Sequence, residues 1–284
     1  PLHNPANLRG IEIARRLLPR AKHVAVFDTA FHQTMPLHAG LYAIPYEYYK
    51  VHKVRRYGFH GTSHYYISRR IGEVAGVDIS HSKLISVHLG NGCSVCAVKN
   101  GKSFDTSMGF TPLEGLVMGS RSGDVDPGII GFLMERGEFS ADPGKETFFD
   151  TILNRKSGLL GVSGFSNDMR EIMERRRGGD ERAELAFRMF SYRIRKYIAA
   201  YAGLMGGVDF LVFTAGIGEN CPEVREEATD GLQFMGLILD KERNRKGKGE
   251  CMISADGSPA QIWILPTNEE LVIARDTVRV IGEE

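Results

Sequence analysis

The chain has 284 residues, 42% of them hydrophobic and 25% charged, with 36 Lys and Arg against 35 Asp and Glu. That composition belongs to a globular protein of one large domain or two modest ones, long enough to bury a sizeable core. A formal net charge of +1 gives no reason to expect nucleic acid or an acidic membrane surface as partner, and no apolar run reaches the ~18 residues of a membrane span.

The chain starts at Pro1, and Leu2-His3-Asn4-Pro5 reads as the middle of a loop, so it is expected to begin inside a longer protein. Pro5 suits a first helical turn, and Leu8, Ile11, Ala14 and Leu18 give a helical stripe. Val24-Ala-Val-Phe27 predicts a short buried strand that delivers Asp28 at its end. Residues 31–58, rich in Tyr and Pro, read as irregular. Thr62 to Ala75 predicts a helix stopped by Gly76, and Lys83 to Leu89 a strand. Cys93 to Val98 and Lys102 to Thr106 flank Asn100-Gly101, the strongest hairpin signal in the chain. Residues 115–128 read as a glycine-rich loop, and helices are expected at 128–136, 145–154, 168–177 and 180–205. Val208 to Phe213 predicts a second buried strand, running into Thr214-Ala-Gly-Ile-Gly-Glu-Asn220 and then a helix. Ile262 to Leu265 reads as a last strand and Glu269 to Val280 as a last helix. Strands alternating with helices, with an inserted hairpin, imply an α/β fold with mixed sheets.

Cys93-Ser-Val-Cys96 has the spacing of a redox motif or half a zinc site, but no second such pair and no suitably spaced His pair follows. Its neighbours alternate as in a strand, so both thiols read as packing residues. With Cys221 and Cys251 they fit a reducing, cytoplasmic compartment, and no signal peptide is visible. The basic runs Arg175 to Arg177 and Lys241 to Lys248 read as solvated helix ends or loops.

Five stretches can carry chemistry, each with a plainer reading beside it. His88-Leu89-Gly90-Asn91-Gly92 places small residues at a strand end, where backbone N–H groups can approach an anion, or simply turns a hairpin corner. Thr214 to Asn220 follows a strand and opens a helix, the geometry of a nucleotide site or of an ordinary strand–helix turn; neither G-x-G-x-x-G nor a Walker A sequence is present. Arg121-Ser-Gly-Asp124-Val-Asp126 sets a planar guanidinium, suited to a phosphoryl group, on a loop that local ion pairs would also explain. His60 and His64 flank a helix start, as site residues or as satisfied structural histidines. Asp28 and Glu269 are less informative singly, and Asn268-Glu269-Glu270 equally makes a capped first turn.

In their order these blocks, with Phe27-Asp28-Thr29-Ala30-Phe31-His32, Asp105-Thr-Ser-Met-Gly109 and Pro266-Thr-Asn-Glu-Glu270, resemble acetate kinases along the whole chain. His60-Gly-Thr-Ser-His64 is the hallmark. The resemblance implies the acetate and sugar kinase/Hsp70/actin superfamily, with an actin-like ATPase (ribonuclease H-like) fold and a cleft between two domains. Residues 1–29 and 269–284 would be the remnant of an incomplete first domain, and 30–268 the second, nucleotide-binding and dimer-forming domain. It implies transfer of the γ-phosphoryl group of ATP to acetate, reversibly and in line, with Mg²⁺ or Mn²⁺ and a homodimer. By resemblance Asp28 is the catalytic aspartate and His60 and Arg121 stabilise the transition state. His88, Leu89, Gly90, Asn91, Gly92, Asp168, Met169, Arg170, Gly216, Ile217, Gly218, Glu219 and Asn220 would contact the nucleotide, His3 would lie near the substrate, and Glu269 would ligate the metal. The alternatives are a propionate or butyrate kinase of the same family, or a nucleotide-binding fragment without catalysis. The family's opening segment, with its Ser-rich phosphate loop and the Arg that holds the substrate carboxylate, has no counterpart here. Weak nucleotide binding and little turnover are therefore expected of this chain alone.

Overall fold

A computed structural model describes residues 4–138 and 148–282. Helix α1 (Asn4–Leu17) opens the chain. The apolar run before Asp28 is not a strand: residues 24–27 belong to no regular element, and Phe27 is 69% exposed. A strand needs a neighbour to take its backbone hydrogen bonds, and none of the described strands lies beside this run. Short helices α2 (Leu37–Gly40) and α3 (Tyr46–His52) occupy the stretch expected to be irregular. Helix α4 (Gly61–Ala75) ends on Gly76, whose φ of +66° terminates it in a left-handed cap.

Strands β1 (Lys83–Leu89), β2 (Cys93–Lys99) and β3 (Lys102–Thr106) form an antiparallel meander. Its turn is Asn100-Gly101, both at positive φ, as the hairpin signal requires. After the glycine-rich loop come α5 (Gly128–Glu135), a π-helical stretch at Phe148–Leu153, and α6 (Gly158–Ser163). The expected helix at 145–154 starts outside the described residues. Asp168 caps α7 (Met169–Arg177) and Asp180 caps α8 (Glu181–Met205), each carboxylate accepting from N–H groups of the first turn. Strand β4 (Phe210–Thr214) runs into α9 (Ala215–Asn220), then α10 (Pro222–Thr229) and α11 (Lys241–Lys246). The segment read as following a strand and opening a helix is helical from Ala215 onward. Strands β5 (Cys251–Met252) and β6 (Gln261–Ile264) and helix α12 (Glu269–Gly282) complete the chain.

One mixed sheet results, in the order β3-β2-β1-β4-β6-β5, with β1, β4 and β6 parallel. The alternation of side chains divides it into two faces. Ile85, Val87, Leu211 and Phe213 pack with α7, α8 and α10. Leu84, Cys96, Val98, Phe210 and Val212 pack against Ile67 and Ile71 of α4. Cys93 and Cys96 consequently face opposite sides, both buried, with thiols pushed up to about 12 by burial. A redox or metal pair is ruled out by that divergence. No helix among the described residues is long and apolar enough to cross a membrane.

Candidate active site

The site gathers at the C-terminal ends of β1 and β4, where a parallel sheet leaves a crevice for ligands. It is anchored at the start of α4. His60 precedes that helix in a left-handed conformation (φ 54°, ψ 28°). Its N–H donates to Asp28 Oδ2 at 2.7 Å, the Thr62 N–H to Oδ1 at 3.3 Å, and the Gly61 N–H to the Asp28 carbonyl at 2.8 Å. Asp28 thus satisfies orphan donors of a helix N-terminus with a negative charge, which the helix dipole favours. A Cβ on Gly61 would sit 2.1 Å from the Asp28 carbonyl oxygen, so this docking requires glycine.

The His60 ring stacks on His88 with centroids 4.1 Å apart, and its Nδ1 lies 2.9 Å from Ser94 Oγ. Its other edge faces Gly92 and Arg121. A Cβ built on Gly92 would lie 3.4 Å from His60 Nε2 and 3.5 Å from Arg121 Nη1, so both side chains converge on the space over that glycine. Arg121 is half-buried, its guanidinium held among the described residues by the Pro112 carbonyl at 3.2 Å and Met118 Sδ at 3.8 Å. It has no carboxylate partner among the described residues. Burial lowers its pKa, yet guanidinium stays protonated, so a half-buried positive charge is left for an anion.

The neighbouring carboxylates are otherwise engaged. Asp124 accepts from Tyr197 Oη at 2.9 Å and the Gly115 N–H at 2.8 Å and pairs with Arg193 at 3.1 Å, while Asp126 accepts from the Gly128 N–H. These two fix the loop and leave Arg121 out. Asn268 caps α12, its Oδ1 accepting from the Leu271 N–H at 2.9 Å. Glu269, in that first turn, is half-buried, and its carboxyl is raised by burial and then by the charge of Asp28 nearby.

Four histidines cluster on the α4 side of the sheet, each with a serine. His32 pairs with Ser103, His88 with Ser63, and His64 with both Ser86 and Ser94. Burial holds His32 and His60 down to about 4 and His64 and His88 well below the ordinary value, so all four rings are neutral near pH 7. Arg121, beside His60, reinforces that shift.

On the other side of the Gly90–Gly92 loop lies a cavity of about 690 Å³. Of the residues expected to contact nucleotide, Gly90, Asn91, Asp168, Met169, Arg170, Gly216, Ile217 and Asn220 line it. His88, Leu89, Gly92, Gly218 and Glu219 do not. His88 and Leu89 are buried in β1, and Gly218 packs its backbone against Phe213 and Val87. Asn167, Met173, Arg177, Cys221 and Glu223 line the cavity without having been singled out. Only the i, i+4 periodicity of α7, which sets Met169, Met173 and Arg177 on one helix face, pointed to part of this set. His3 lies outside the described residues. No group of three metal-ligating side chains occurs among the described residues.

A sequence model of the acetokinase family matches residues 1–275. The acetate kinase of Dictyoglomus turgidum is 54% identical over 284 residues, covering all of this chain and 69% of that protein. Among solved structures, the acetate kinase of Porphyromonas gingivalis superposes with a TM-score of 0.93 at 50% identity, over 99% of this chain and 69% of that one. A propionate kinase from Francisella tularensis gives 0.89 at 45% identity, over 96% and 68%. The chain belongs to the acetokinase family, whose function is the ATP-dependent phosphorylation of acetate.

Proposed function

We propose that this chain takes the γ-phosphoryl group of ATP and passes it to acetate across the Gly90–Gly92 loop. One observation carries the reading. The loop borders the cavity at Gly90 and Asn91, and at Gly92 it borders the space where His60 Nε2 and Arg121 Nη1 converge. Adenosine and the inner phosphates would occupy the cavity, and the terminal phosphoryl group would reach the two donors. Phosphoryl transfer asks the protein for positioning and for neutralisation of spread negative charge rather than for covalent chemistry. Arg121 and a neutral His60 N–H would donate to the equatorial oxygens. An acetate oxygen would attack the phosphorus in line as the bond to ADP breaks, giving acetyl phosphate. Asp28, acting through the start of α4, would hold His60 in place.

Mg²⁺ or Mn²⁺, when bound with ATP, supplies further neutralisation of the phosphate oxygens. Mg²⁺ typically takes one or two carboxylates and leaves its other positions to water and phosphate. Glu269, a half-buried carboxylate whose pKa is raised by burial and then by the charge of Asp28, would be the ligand.

The domain reading has a similar basis. Leu8, Ile11, Leu17 and Phe27 are exposed, whereas both apolar clusters lie within 30–268, and Val272 is the one buried hydrophobic outside that span among the described residues. Residues 1–29 with 269–284 would thus belong to a first domain and 30–268 to a second that binds nucleotide and forms the homodimer. The free thiols support a reducing cytoplasmic setting. The likeness to a propionate kinase keeps propionate as the second acceptor.

The test is trapping of acyl phosphate from ATP with acetate, propionate and butyrate, beside calorimetry with ATP. Acetate is the expected best acceptor. Greater turnover with propionate moves the assignment to the sibling enzyme, and ATP binding with no acyl phosphate from any acceptor makes this chain by itself the nucleotide-binding fragment without catalysis.

A further inference from the structure

The serine and histidine pairs on the α4 side of the sheet share protons in a countable way. Ser94 Oγ lies 2.9 Å from His60 Nδ1 and 2.7 Å from His64 Nε2, and His64 Nδ1 lies 2.9 Å from Ser86 Oγ. The path is contiguous because His88 and Ser94 pair across β1 and β2 and Ser86 sits two residues back on the same face, all opposite His64 on α4. A serine hydroxyl has one proton, and a neutral imidazole has one N–H. Three arrangements satisfy every link. In two, His60 Nδ1 donates to Ser94, whose own proton goes to His64 Nε2 or away from both rings, and His60 Nε2 turns a bare lone pair toward Gly92. In the third, His64 Nε2 donates to Ser94, Ser94 donates to His60 Nδ1, and His60 carries its proton on Nε2. His64 Nδ1 then accepts from the Ser86 hydroxyl.

The environment of Nε2 chooses between them. It faces the same space as Arg121, a donor without a carboxylate partner among the described residues, and so a place for an anion. A lone pair there would repel the anion that Arg121 attracts; an N–H would join in binding it. We propose that Ser94 and His64 are positioning residues that fix His60 as the Nε2–H tautomer, making it a neutral hydrogen-bond donor to the transferring phosphoryl group and not a proton acceptor. The reading rests on the placement of the phosphoryl group over Gly92 argued above. Burial supports it independently, since a ring held neutral can donate at Nε2 only if Nδ1 accepts.

The test is nitrogen NMR of the histidine rings in the chain labelled with ¹⁵N, His60 being assigned through His60→Gln. The wild type is expected to show a protonated Nε2 and a bare Nδ1 at His60 near pH 7; the reverse pattern overturns the proposal without any variant. Ser94→Ala is expected to mix the two tautomers and lower kcat about tenfold, the scale of one lost hydrogen bond, with KM for ATP within about twofold. His64→Gln, whose amide still donates to Ser94, keeps the wild-type pattern, and His64→Leu loses it. A Ser94→Ala protein that melts normally with the His60 pattern unchanged also overturns the relay. Addition of ATP with Mg²⁺ that moves no His60 signal counts against the phosphoryl-site reading while the tautomer result stands on its own.

Discussion

The two sides of the Gly90–Gly92 loop are built differently. Toward α4 the functional groups are sheltered: His64 and His88 are buried, His60 and Arg121 half-buried, and the three rings sit in a lattice of serine hydroxyls. Toward α7 and α9 the groups are open. Arg170 is almost fully exposed, tied to Asp168 at 2.5 Å, and Arg177 reaches over to Glu223 at 3.1 Å. Preorganised donors act where charge develops and need no reorganisation during the reaction. An open rim of long side chains holds a ligand by many small contacts, each replaceable. The buried side is therefore expected to govern the rate and the open side the affinity.

That division breaks most readily at Arg121. Arg121→Ala should lower kcat by ~10²–10³ in acetyl phosphate formation with little change in KM for ATP, as loss of one transition-state donor commonly does. A variant with normal kcat and a raised KM would assign Arg121 to the binding side instead.

Acid should separate the two sides next. His32 and His60 titrate near 6.5 when unfolded and at about 4 when folded, because burial penalises the charged ring. Between those values the unfolded chain binds more protons. Their contribution is complete above pH 6.5 and is lost as pH falls toward 4, roughly 1 kcal/mol for each ring by pH 5.5. Thermal melts from pH 7.5 to 5.5 should show Tm falling steadily. A flat profile would mean that these rings are not buried neutral.

The smallest effect is expected on the open side. Asp168→Ala removes the cap of α7, where Oδ1 accepts from the Arg170 N–H at 2.8 Å, and frees the Arg170 side chain. Loss of such a cap costs about 1 kcal/mol. Calorimetry should show ATP affinity weakened by a few-fold and kcat unmoved. A collapse of kcat would carry the rate-governing region across the loop.

Much of the architecture could be read along the chain because its signals are local. The hairpin at Asn100-Gly101, the stop at Gly76 and the caps at Asp168 and Asp180 depend on residues within a few positions of one another. The Val24 to Phe27 run misled for the converse reason: an apolar stretch becomes a strand only beside a partner. Resemblance to the acetokinase family named Asp28, His60, Arg121 and Glu269, while residue chemistry alone left each of them with a plainer alternative.

Tertiary structure decided what those residues face. By itself, the sequence determined the mixed α/β fold, the family and the order of its motifs, since periodicity, capping and motif spacing survive without knowledge of contacts. Only folding could put Gly92 between His60 and Arg121, send Asp124 to Tyr197 and Arg193 and not to Arg121, and bring Ser94 between two imidazoles. The physical reason is distance along the chain. Ser94 is 34 residues from His60 and 30 from His64, and no local propensity reports a hydrogen bond that exists only when two strands and a helix have packed.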